Sequence, residues 1–168
     1  MAVFEKGTYL MHKSEGVCVV EDIRVERFGG ISRQYYILRP LYENVSTTVF
    51  LPIESADKRL RELITKEEGE RLLSKAKTQV VTWETNDRLR QEHSHQVVRE
   101  CETLQLLTLV YSLREKRTEL ANQGKKLRFF DETALQECER LLSEEFAYIW
   151  DVEKSRALSQ LYKKEPSP

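Results

Sequence analysis

VSTTVFLPIESADKRLRELITKEEGERLL, residues 45–73, changes its hydrophobic period part-way along, and that change divides the chain. From Val45 through Thr47, Val49 and Leu51 to Ile53, one row of side chains recurs at every second position. A period of two belongs to a pleated strand with one buried face, so a strand is expected here. Beyond it the spacing lengthens. Thr65-Lys66-Glu67-Glu68 reads as a T-x-x-E capping box, in which the threonine oxygen accepts from an orphan amide and the glutamate reaches back. A helix is expected to begin at Lys66.

Toward the N-terminus the period of two recurs in Val17, Val19, Ile23 and Val25 and again in Tyr35 and Ile37. Turn signals separate the runs: KSEG at 13–16, FGG at 28–30 and YEN at 42–44. So few short strands cannot make a two-layer sandwich of ordinary size, but they suit a small SH3- or Tudor-like barrel. Toward the C-terminus the pattern is helical. One long amphipathic helix is expected from about Val97 to Leu120, stopped by Gly124. Asp131 precedes another helical stripe, Leu135, Cys138, Leu142, Phe146 and Ile149, and a last amphipathic piece runs from Val152 to Tyr162. The expected fold is therefore α+β: a small barrel over residues 1–56, an all-helical domain over 57–164 and a polar tail at 165–168. Neither part is large, and burying enough surface is expected to require that they pack together.

Bulk composition narrows the function. With 168 residues, 40% of them hydrophobic, the chain is expected to fold as one ordinary domain or two small ones. The start MAVFEKGTYL has neither the basic nor the apolar region of a secretory signal, and no apolar run is long enough to span a bilayer. A soluble, cytoplasmic protein is expected. Charge is abundant but balanced, 27 Lys+Arg against 28 Asp+Glu, whereas a domain that binds nucleic acid mainly by neutralising phosphates carries a basic excess. The three cysteines, Cys18, Cys101 and Cys138, are widely spaced without CxxC pairs and read as reduced packing residues.

Catalytic and metal signatures are scarce. GxxxxGK[ST], GxSxG, HExxH and GxGxxG are all missing from the sequence. His93 and His95 lie two apart, so on a helix they point to different faces and chelate poorly. His12 is expected at the barrel rim, and the pairs Glu67/Glu68 and Glu144/Glu145 on solvated helix faces. No enzyme, metal, cofactor or small-molecule substrate is expected. What remains is surfaces. A small barrel with an open sheet edge can accept a partner's strand, and Phe28 and Phe50, which break the alternation, either decorate that surface or fill the core.

Trp83, in VVTWETNDRLRQE (80–92), raises a similar choice. Burying an indole removes about 150–250 Å² from water, worth roughly 4–6 kcal/mol. Yet only Leu89 follows it at helical spacing, which puts Trp83 at or near a helix start beside Arg88 and Arg90. Either it is buried between the domains, or it levers into a base step while the arginines hold phosphates.

The stretches FEKGTYLMHKSEGV (4–17), GISRQYY (30–36) and TVFLP (48–52) resemble the polymerase-interacting module of the CarD family of bacterial transcription regulators, a module shared with the transcription-repair coupling factor. The resemblance implies a Tudor-like domain that adds a strand to the β subunit of RNA polymerase, with Glu26, Phe28, Thr48, Phe50 and Pro52 in the contact. It further implies a helical domain whose tryptophan wedges into the minor groove at the upstream edge of the melted promoter, with Trp83, Arg88 and Arg90 as the DNA contacts. Four departures accompany it, one of them Thr8 in place of a common aspartate. Glu84, Thr85 and Asn86 stand where the family has arginines, so DNA binding is expected to be weak and non-sequence-specific. Glu26 replaces a frequent arginine, and the Gly-Asp helix break typical of the family is missing around Arg99 to Thr103. The alternative is a protein-only adaptor that binds polymerase or another partner through the barrel without touching DNA.

Overall fold

The computed structural model describes residues 3–163, and the expected tail at 165–168 lies outside the described residues. Two compact units divide between Leu63 and Ile64.

The first unit is an antiparallel sheet of β1 (Tyr9–His12), β2 (Gly16–Phe28), β3 (Ile31–Pro40), β4 (Val49–Pro52) and β5 (Leu60–Arg61), in the spatial order β4-β3-β2-β1-β5. Between β4 and β5 the chain has only a 3-10 turn, Ile53–Ser55, and a single helical turn, α1 (Ala56–Arg59). Laid flat, the two edges of a five-stranded sheet stand about 19 Å apart, whereas that connection rises only about 12 Å. The sheet must therefore roll, as a Tudor/SH3-like barrel does. Its concave side holds the core: Leu10, Cys18, Val20, Tyr36, Leu38, Leu51, Ala56 and Leu60. Because β5 pairs with β1 through Met11↔Arg61 and His12↔Leu60, the barrel runs to Leu63 rather than stopping at residue 56 as expected.

The register of β2 corrects the simple alternation. Val20 faces Leu38, but Asp22 faces Ile37, so Glu21 is an extra bulged residue. Upstream of it Cys18 and Val20 point to the core. Downstream Ile23 does, opposite Tyr36. The four residues Val17, Val19, Ile23 and Val25 thus lie on two faces rather than one, because the bulge shifts the pleat by one position. β4 is also shorter than the pattern Val45–Ile53, since Val45 lies exposed in the loop before Val49 and Asn44 turns the chain at φ 54°. The β2–β3 hairpin closes through Gly29 (φ 57°) and Gly30 (φ 79°). Two consecutive positive φ values define the type I′ turn that matches strand twist.

The second unit is helical: α2 (Lys66–Thr78), α3 (Asp87–Glu100), α4 (Thr103–Asn122), α5 (Phe129–Trp150) and α6 (Lys154–Leu161). Thr65 Oγ1 accepts from the Glu68 amide at 3.1 Å, as expected, while the Glu68 carboxylate pairs with Arg71. A Cβ on Gly69 would come within 2.8 Å of Ile149 Cδ1 and 3.1 Å of Phe146, so α2 lies close against α5 and a larger residue there would have to push side-chain tips of α5 aside. The single helix expected over Val97–Leu120 is two. Cys101 adopts a left-handed conformation at φ 55°, ends α3 and turns the chain into α4. The break exists without the glycine, and both Cys101 at the break and Leu106 beyond it are buried.

Glu144 and Glu145, expected in solvent, are buried. Glu145 accepts from Thr103 Oγ1 at 2.7 Å and from the Ile64 amide at 3.3 Å, tying the start of α4 and the lead into α2 to the middle of α5. Glu144 pairs with Arg140 at 3.2 Å. Tertiary partners override the polar look of the EE pair, since a buried carboxylate is tolerated once donors reach it.

His12 is likewise buried rather than at the rim. Its Nδ1 accepts from the amides of Ser14 (3.2 Å) and Glu15 (3.1 Å), so the neutral ring with its proton on Nε2 closes the β1–β2 turn. Burial lowers its pKa from 6.5, the charge of Arg59 adds to that, and Glu15 opposes it. A depressed folded pKa means that the unfolded chain takes up the proton first. The stability that His12 confers is therefore whole above 6.5 and is lost as pH falls below it toward the folded pKa. The difference in urea midpoint between the parent and His12→Asn should shrink from about pH 7 to about pH 5; a difference independent of pH would contradict this.

Candidate functional site

On the barrel, the residues singled out by sequence gather on the face away from the core. Arg24 pairs with Tyr35, Glu26 with Arg33, Phe28 with Ile31, Ile37 with Phe50 and Tyr35 with Pro52, which places all of these on one face. Phe28, Tyr35 and Phe50 form a three-way edge-to-face cluster with centroids 5.3 to 6.4 Å apart. Tyr35 is buried, while Phe28 and Phe50 are 49% and 39% exposed. They are surface aromatics rather than core filling. Glu26 is half-buried and bound by Arg24 Nε, and Arg24 also lies over the Phe50 ring, so the acid at this position is neutralised within the sheet. Thr48 is exposed just ahead of β4. That strand pairs with β3 on one side, and among the described residues no strand pairs with its other side.

In the helical unit, Trp83 lies in the extended segment 79–86 between α2 and α3. Asn86, whose side chain accepts from the Leu89 amide at 3.1 Å, starts α3 immediately after it. The indole is half-buried. Arg90 Cζ stands 4.7 Å from the ring centroid and Lys116 Nζ 5.4 Å. Beside the ring a cleft of about 300 Å³ opens between this segment and helices α3 and α4, walled by Leu89, His93, Thr108 and Leu113.

Arg90 is not the phosphate contact the sequence suggested. It is 7% exposed, and its guanidinium donates from Nε and Nη2 to both oxygens of the buried Asp131, at 3.0 and 2.9 Å. Nη2 also reaches Asp87 at 2.8 Å and Nη1 the Glu84 carbonyl at 2.9 Å. The rings of Trp83 and Phe130 lie on the guanidinium at 4.7 and 5.0 Å. The bonds to Asp131, then to Asp87, raise the pKa of Arg90 further, so the cation is permanent and spent inward. Sequence offered no sign of this, because Asp131 is distant in the chain and reads as a favourable charge in the first turn of a helix. Arg88 keeps its sequence-based character: its side chain is 82% exposed and pairs with Glu92 only at 3.7 Å. Lys116, missed by sequence reasoning, approaches the indole from α4.

Residues 4–64 match the family described as the CarD-like/TRCF RID domain. The N-terminal barrel is a CarD-like/TRCF RID domain. The match takes in the whole sheet and the aromatic face, and it supports a transcription-related, RNA polymerase-binding role for the RID barrel. Helices α2 to α6 lie outside it, and no curated protein matches the chain. Among the described residues no helix is long and apolar enough to cross a membrane.

Removing one partner from a buried ion pair strands the other charge. Asp131→Ala should therefore cost about 3–5 kcal/mol of stability and Arg88→Ala less than about 0.5 kcal/mol, read as urea midpoints. Equal midpoints for the two variants would refute this division of labour.

Proposed function

We propose that the chain is a non-enzymatic bacterial transcription regulator of the cytoplasm, resembling the CarD family by its motifs in the barrel and by its layout in the helical part. In this reading the outer edge of β4 adds as a strand to the β subunit of RNA polymerase, with Phe28, Phe50 and Thr48 setting specificity beside it and Glu26 and Pro52 at the margin. The observation that carries the reading is the half-open edge of an RID barrel with two exposed aromatics next to it.

The helical domain then meets promoter DNA with Trp83. A wedge must be stiff to pry a base step, and the guanidinium of Arg90 stiffens the indole from behind, at little further entropy cost on binding. Arg88 and Lys116 supply the phosphate contacts in place of Arg90, and a salt dependence of only one to about three phosphates follows. Such contacts read no bases. They shift the closed-to-open equilibrium by their preference for distorted DNA, and about 1.4 kcal/mol of that preference is a tenfold change in open-complex lifetime. The inward commitment of Arg90 also favours a second reading, the protein-only adaptor, since it removes one of the three expected DNA contacts.

Phe50→Glu should abolish capture of RNA polymerase while leaving the thermal midpoint near that of the parent; an unfolded variant would mean that Phe50 is core. Trp83→Ala should leave that capture intact and shorten the open-complex lifetime several-fold. An unchanged lifetime would favour the adaptor.

A further inference from the structure

Phe129 is 87% exposed, and among the described residues it makes no ring contact. It opens α5 at the end of the connection Gln123–Arg128, which carries Lys125, Lys126 and Arg128. The connection is pinned at three points. Gly124, at φ 70°, ends α4 and lets the Lys125 amide donate to the Leu120 carbonyl at 2.8 Å. Leu127 is buried, and Arg128 Nε lies 3.5 Å from Asp87. Next in sequence, Phe130 lies on Arg90, which in turn lies on Trp83, so Phe129 sits at the same corner of the helical unit as the indole.

Charge at this corner leans to the cationic side. Asp131 is engaged by Arg90, Asp87 by Arg90 and Arg128, and Glu132 by Arg117, while the exposed Glu84 carboxylate accepts from the Asn86 amide. Lys125 and Lys126 are exposed, and no ion pair engages either among the described residues. An aromatic anchor for a protein partner sits amid further apolar surface. Phe129 instead has cations before it, and its apolar neighbours Leu127 and Phe130 turn inward. An exposed phenyl three and four residues beyond two exposed lysines suits a ligand with alternating flat rings and phosphates. In duplex DNA those rings already stack on one another, and they become available only when a strand is unpaired.

We propose that Phe129, with Lys125 and Lys126, is a second nucleic-acid contact: a stacking platform for an unpaired base of single-stranded DNA, distinct from the duplex wedge at Trp83. The inference rests on the promoter contact proposed above and names the part of the bubble that the other side of the site takes. Trp83 would hold the double-stranded edge, and Phe129 the first bases beyond it.

The full chain and three variants, Phe129→Ala, Lys125→Ala/Lys126→Ala and Trp83→Ala, are titrated by fluorescence anisotropy against labelled oligo-dT and a duplex of equal length. Phe129→Ala should weaken oligo-dT binding about tenfold and leave the duplex affinity unchanged. The double lysine variant should lower the salt slope on oligo-dT by roughly 1.4. Equal losses on both DNAs, no loss on either, or no binding of oligo-dT by the parent overturns the inference. So does a Phe129→Ala chain that keeps its oligo-dT affinity but loses polymerase, which would mark a protein contact. Open-complex lifetime separates the two levels. If Trp83→Ala shortens it while Phe129→Ala leaves oligo-dT binding intact, only the platform fails; if Trp83→Ala has no effect, the promoter contact itself fails.

Discussion

The guanidinium of Arg90, bound on its edge by Asp131 and covered by Trp83 and Phe130, is the constraint on which the helical half depends. A charge taken out of water costs several kcal/mol unless its donors are met, and here the carboxylate, a second acid and a backbone carbonyl meet them. The pair joins the start of α3 to the start of α5. It also fixes the indole, because an aromatic face over a desolvated guanidinium gains roughly 2 kcal/mol that other orientations of the ring forfeit. One buried cation thus does the work that an apolar stripe does elsewhere, and that is why Trp83 has so few apolar neighbours in its own segment.

The RID barrel meets the opposite problem, a surface that must stay incomplete. Its sheet rolls because the link from β4 to β5 is too short for a flat one, yet rolling leaves β4 bonded on one side. An open edge invites indiscriminate pairing. β4 is four residues long and ends in Pro52, which has no amide hydrogen to offer. On the proposed reading, Phe28 and Phe50 would make the remaining edge selective, since a strand added there would have to accommodate two rings already packed against Tyr35.

Near-zero net charge follows the same division. If polymerase supplies the recruitment, the DNA contact acts intramolecularly and needs little affinity of its own. A strongly basic helical domain would instead bind nucleic acid anywhere and compete with its own delivery.

The division into a strand-rich and a helical half was legible in the sequence, because hydrophobic period is local: residues two apart share a strand face and residues three or four apart a helix face, whatever lies beyond. The caps at Thr65 and Gly124 were legible for the same reason, and so was the RID resemblance, carried by short contiguous motifs. The fates of individual polar and strained residues were not. The bulge at Glu21 moves half of β2 to the other face, Cys101 ends a helix without glycine, and Glu145 is buried with donors from Thr103 and Ile64. Arg90 reads as a surface cation until Asp131 arrives beside it. Sequence determined which elements form; tertiary structure alone decided which charges face water, because the cost of burying a charge is set by partners that only the folded chain brings within 3 Å of it.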